Sequence, residues 1–145
     1  MVLSAIPLFA AVLGATPTQT PEALAIELLS QEIQERKGDS VFCIQVDGKD
    51  ASQSVLAAIQ TEDRTVVVGS ECEPVVDTSK GSYHKATGRS ALLMSVEKFH
   101  STKDGTADVD LNLYHNGLWA IYKTLEVRKS RNSWVVIRVK RHVEA

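Results

Sequence analysis

A chain of 145 residues is about one domain long, and with 43% hydrophobic and 23% charged residues it has the composition of an ordinary soluble globular protein. Its net charge of −2 and pI near 6.1 speak against a nucleic-acid binder, although Arg128, Lys129, Arg131, Arg138, Lys140 and Arg141 gather near the end. Only 6% of the residues are aromatic, too few for a base-stacking platform. The charge is unevenly spread, at net −7 from Glu22 to Glu73 and net +5 from Lys123 to Ala145, which fits acidic helices lying near a basic sheet edge or simple solvated faces.

Val2 to Ala15 is apolar apart from Ser4, Pro7 and Gly14. That is too short to span a bilayer but right for the hydrophobic region of a signal peptide, with Gly14 and Ala15 as small residues for cleavage. No Lys or Arg precedes the run, so an apolar tail packed on the fold stays open beside it. The expected organisation is a leader at 1–15, a linker at 16–20 and one α+β domain at 21–145, exported to the periplasm or the extracellular space.

Thr20, Pro21 and Glu22 form a helix start: a hydroxyl N-cap, a proline where no N–H is needed and a carboxylate at the positive end of the dipole. The helix is expected to run to about Lys37. Ala25, Leu28, Leu29 and Ile33 share one face, Glu27, Gln31, Gln34 and Glu35 the other, and Gly38 closes it. Val41 to Val46 then reads as a strand, Asp50 to Gln60 as a short helix and Thr65 to Val68 as a strand, together a βαβ-like segment. Cys43 and Cys72 are the only cysteines. If the chain is exported they form a disulfide; two buried thiols are the alternative. Pro74 to Gly88 is the longest irregular segment, of a length often functional or mobile.

Ala91 to Val143 predicts four antiparallel strands joined by short turns at Lys103–Thr106, His115–Gly117 and Ser130–Ser133. Leu92, Met94 and Val96 alternate with Leu93, Ser95 and Glu97; Ala107, Val109, Leu111 and Leu113 alternate with Asp108, Asp110, Asn112 and Tyr114. Trp119, Ile121, Leu125 and Val127 alternate with Ala120, Tyr122, Thr124 and Glu126. In the last strand Val135, Ile137 and Val139 alternate with Val136, Arg138 and Lys140. One apolar face must be covered, and the helix from Pro21 is the cover.

No catalytic motif is present. The sequence holds no GxSxG elbow, no phosphate loop and no HxH or HExxH pair, so no metal or cofactor is expected. Asp108 and Asp110 share a strand face with Tyr114. In a sheet concavity a carboxylate base could act with Tyr114 or Tyr122 as donor; a solvent-facing polar side is the plainer reading. Tyr83, His84 and Trp119 are candidate binding residues, and His100 and His115 sit at strand ends.

The helix followed by a meander whose final hairpin reads Tyr122-Lys123-Thr124-Leu125-Glu126-Val127 and Ser133-Trp134-Val135-Val136 resembles the NTF2-like or cystatin-like superfamily, and is similar to small exported bacterial proteins of unassigned function. The resemblance implies an N-terminal helix packed on a curved antiparallel four-stranded sheet, and no catalytic residue carries over with it. The expected function is a non-enzymatic exported domain binding a small molecule or a protein. The alternative is a cone-shaped isomerase or dehydratase, and an inhibitor-like protein presenting a loop is a third. No nucleic acid or stable membrane span is expected; a homodimer through the sheet is open.

Overall fold

The computed structural model describes residues 19–145; the expected leader, 1–15, and residues 16–18 of the expected linker lie outside the described residues. Helix α1 is Glu22–Glu35 and buries Leu24, Ala25, Leu28, Leu29 and Ile33, as the helical spacing requires. Its ends differ from expectation. Thr20 does not cap the helix: Pro21 holds the N-cap position, and the main-chain N–H and hydroxyl of Thr20 both donate to the carboxylate of Asp47. The helix stops at Glu35, with Arg36 already extended and Gly38 at φ 107°. Arg64 then ties the connection down by donating to the carbonyls of Arg36 and Gly38.

Next come β1 (Val41–Val46), β2 (Lys49–Asp50), α2 (Gln53–Ile59) and β3 (Val66–Val68). Ser52 caps α2 by accepting from the N–H of Val55. Strands β1 and β3 are parallel neighbours, so the βαβ unit is present. The run Val41-Phe42-Cys43-Ile44 is wholly buried because both of its faces are covered. Phe42 and Ile44 enter the main core, while Val41 and Cys43 join Cys72 and Ala91 in a smaller cluster on the far side. That far side is closed by the hairpin of β4 (Cys72–Glu73) and β5 (Tyr83–His84), which a Cys43–Cys72 disulfide fastens to β1.

The last third is the expected antiparallel meander of β6 (Ala91–Ser101), β7 (Thr106–Asn116), β8 (Trp119–Ser130) and β9 (Ser133–Glu144). The βαβ segment does not stand apart from it. Strand β1 runs parallel beside β6, giving one seven-stranded sheet ordered β2-β1-β6-β7-β8-β9 with β3 also on β1. Helix α1 lies on one face, and Leu24, Leu28 and Leu29 share a core with Val109, Leu111, Leu113, Leu125 and Val127.

Strict alternation fails at the bulges. Lys98, at φ 56°, is an extra residue between Glu97 and His100, so Phe99 rather than Lys98 follows Val96 into the core. In β9 two register shifts leave Ile137 and Lys140 as extra residues, which sets Val136 opposite Val127 and Val139 opposite Leu125. Val136 and Val139 therefore share the α1 face, contrary to the simple alternation. The second turn is also displaced by a residue: Asn116 pairs with Trp119, and Gly117 and Leu118 form the loop.

Candidate functional site

The residues expected to do chemistry are placed on the sheet face away from α1, and they do not converge. Asp108 is 7% exposed; its Oδ2 accepts from the Lys140 ammonium at 2.7 Å, with His100 Nε2 at 3.8 Å. Asp110 accepts from the Thr124 hydroxyl at 2.8 Å and faces Lys98 at 4.0 Å. The Tyr114 hydroxyl donates to the carbonyl of Val75 at 3.1 Å, under the loop, and Tyr122 is 38% exposed on the open surface. Neither of the two clefts described below has any of these four in its walls.

Tyr83 and His84 belong to the hairpin that closes the far face. His84 is buried across from Cys72, with Nδ1 2.8 Å from the Thr87 hydroxyl and Nε2 3.7 Å from Glu71. The Lys80 ammonium sits 4.7 Å over the Tyr83 ring. The segment read as a long irregular loop is tied down along its length. Ser82 Oγ accepts from the N–H of Val75 and donates to the carbonyl of His115, and the N–H of Gly117 donates to the carbonyl of Val76. Gly81, at φ 70°, lies so close to the His115 ring that a Cβ there would stand 2.4 Å from Nε2. A glycine is required at that contact.

A cleft of about 450 Å³ opens where α1 ends over the sheet. Phe42, Leu92, Trp119 and His115 supply its ring and aliphatic walls, and Arg36 and Lys37 its cations; Glu35, Ser40 and Ser90 complete the rim. Its cationic wall is held by Glu32, which is only 6% exposed although it carries a charge. Glu32 accepts from Arg36 Nη2 at 3.0 Å and from Lys123 Nζ at 3.2 Å, bridging α1 to β8. The Arg36 guanidinium lies 5.6 Å over the Trp119 ring, a cation–π distance, and its Nε has no acceptor. His115 Nδ1 donates to the carbonyl of Ala91 at 2.8 Å, which fixes the ring.

A second groove, of about 310 Å³, runs between α1 and β9, with Leu24, Glu27, Leu28 and Gln31 on one side and Trp134, Val135 and Val136 on the other. The Trp134 main-chain N–H donates to Glu27, and its ring meets Phe99 edge-on at 5.8 Å. Among the expected binding residues, only Trp119 lines a cleft. Sequence reading missed Glu32 and Arg36. The available signal was the position of Glu32 on the apolar stripe of α1, four residues before Arg36, where a charge needs a partner.

Among the described residues, no group of three or more His, Cys, Asp or Glu side chains could hold a metal ion, and no helix is long and apolar enough to cross a membrane. Comparison with protein-family models, with curated proteins and with solved structures finds no match to this chain.

Proposed function

We propose that this chain is a non-enzymatic binding domain, exported to the periplasm or the extracellular space, whose cleft at the end of α1 takes a small molecule with a flat apolar body and one carboxylate. The observation that carries the reading is the pairing of Trp119 with Arg36, a ring beneath a guanidinium whose Nε has no acceptor, beside Lys37. A flat apolar body matches the walls of Phe42, Leu92 and Trp119, and a carboxylate matches the two cations. The disulfide supports an oxidising compartment. A helix lying across a meander supports an NTF2-like or cystatin-like assignment.

The isomerase or dehydratase alternative has less behind it. Asp108 is held by Lys140 and Asp110 by Thr124, and neither lines a cleft. The test is a titration with phenylacetate and with phenylacetamide, followed by the Trp119 indole N–H resonance. The acid is expected to shift that resonance saturably, the amide to bind about tenfold more weakly, and Arg36→Gln to remove the difference. Equal binding of acid and amide, or no saturation by the acid at millimolar concentration, overturns the reading.

A further inference from the structure

We infer that Gly81, in the loop between β4 and β5, sets the size of ligand that the cleft at the end of α1 accepts, by fixing where the His115 ring stands in its wall. This rests on the proposed reading of the cleft as a small-molecule site and adds a specificity-determining contact behind it. His115 is the residue that loop and cleft share: it lines the cleft with Phe42, Leu92 and Trp119, and its ring lies against Gly81. Gly81 is not in the cleft walls, so it acts on a ligand only through that ring.

The loop reaches His115 through a closed cycle of hydrogen bonds. The main-chain N–H of Ser82 and its hydroxyl donate to the carbonyl of His115 at 2.8 and 2.6 Å. His115 Nδ1 donates to the carbonyl of Ala91 at 2.8 Å, and the N–H of Ala91 donates to the carbonyl of Ser82 at 3.0 Å. A carbonyl only accepts, so Nδ1 carries a proton, and turning the ring over would set a carbon against that acceptor. Ser82 is fully buried, and its hydroxyl also accepts from the N–H of Val75, which ties the cycle to the start of the loop. The main chain and the ring of His115 are thus both held by the residue next to Gly81.

Gly81 supplies the contact on the far edge of the ring. Its N–H donates to the carbonyl of Asp77 at 3.0 Å, and its φ is 70°. A Cβ there would stand 2.4 Å from Nε2, 2.6 Å from Cε1 and 3.2 Å from Cδ2. The bonds of Gly81 and Ser82 hold the main chain in place, so the ring is what has to give way. With the loop on one side of it, the open space that the ring borders is the cleft. A methyl at 81 therefore moves the wall inward, and loss of the ring moves it outward.

The test is a comparison of phenylacetate with the larger 2-naphthylacetate, each titrated into the oxidised chain and followed by the Trp119 indole N–H resonance. Gly81→Ala is expected to weaken the naphthyl acid at least about tenfold more than the phenyl acid. His115→Ala is expected to act in the opposite sense, favouring the naphthyl acid. With His115→Ala already in place, Gly81→Ala is expected to leave the preference unchanged while still lowering the unfolding midpoint, since an alanine at positive φ is strained with or without the ring. A merely structural glycine would not show that dependence on His115. Saturable binding of both acids with a preference that Gly81→Ala leaves alone, or shifts equally without the ring, overturns this inference and leaves the proposed function standing. Where Gly81→Ala folds too poorly to titrate, His115→Ala decides alone, and an unchanged preference overturns the inference. No saturation of the wild-type chain by either acid overturns the proposed function and this inference with it.

Discussion

Glu32 shows why single residues were the hardest part of this molecule to read from sequence. It occupies a position on α1 that faces the core, and the two cations that make this tolerable come from Arg36, one turn away, and from Lys123, 91 positions later. The first partner is visible in the spacing; the second needs the fold. Asp108 and Asp110 illustrate the reverse, since their shared face was legible from alternation but their partners Lys140 and Thr124 depended on how β8 and β9 come into register. Asp77 carries a prediction at this scale. The main-chain N–H of Ser79, and then its hydroxyl, donate to the Asp77 carboxylate and hold its pKa below the ordinary 3.8. A folded-state value below the unfolded one stabilises the fold above the ordinary carboxylate range, and that contribution is lost as the pH falls through the folded value. In a carbon-detected NMR titration Ser79→Ala is expected to move the Asp77 midpoint back upward part of the way, because the main-chain donor remains.

Elements were legible where one period runs unbroken. The apolar face of α1 and the three faces of β6, β7 and β8 up to their bulges follow from spacing alone. The two hairpins with a left-handed residue at the turn were placed correctly, with Asp104 at φ 74° and Arg131 at φ 56°. Strand β9 was misread because its residues alternate in composition while its pairing does not, and a bulge leaves no mark on hydrophobicity. The parallel contact of β1 with β6 was not anticipated, since nothing local specifies which strands become neighbours. The packing of α1 on the meander has a measurable worth. Leu29 is fully buried in the core shared by α1 and the meander, and Leu29→Ala is expected to cost about 3 kcal/mol in denaturant unfolding. A loss below about 1 kcal/mol would mean that the helix is not the cover of the sheet.

At the scale of the whole molecule, the sheet is covered on one face by α1 and on the other, over β1 and β6, by the β4–β5 hairpin and the loop that follows β4. The disulfide is the covalent part of that second cover. Its half-cystines are 29 residues apart, and closing a loop of that size restricts the unfolded chain by about 3 to 4 kcal/mol. Reduction, or Cys43→Ala with Cys72→Ala, is therefore expected to lower the unfolding free energy by about that amount; an unchanged midpoint would show that the hairpin is held by its hydrogen bonds alone. The attachment of Thr20 to Asp47 matters for any experiment on the cleft. It anchors the start of α1 at the β1–β2 turn, whereas Trp119 and Arg36 lie at the other end of the helix, which at 14 residues is about 20 Å long. A fluorophore placed at Asp47 consequently reports on the end of α1 remote from the Trp119–Arg36 cleft, so a signal change there on titrating the cleft would mean that the whole helix moves.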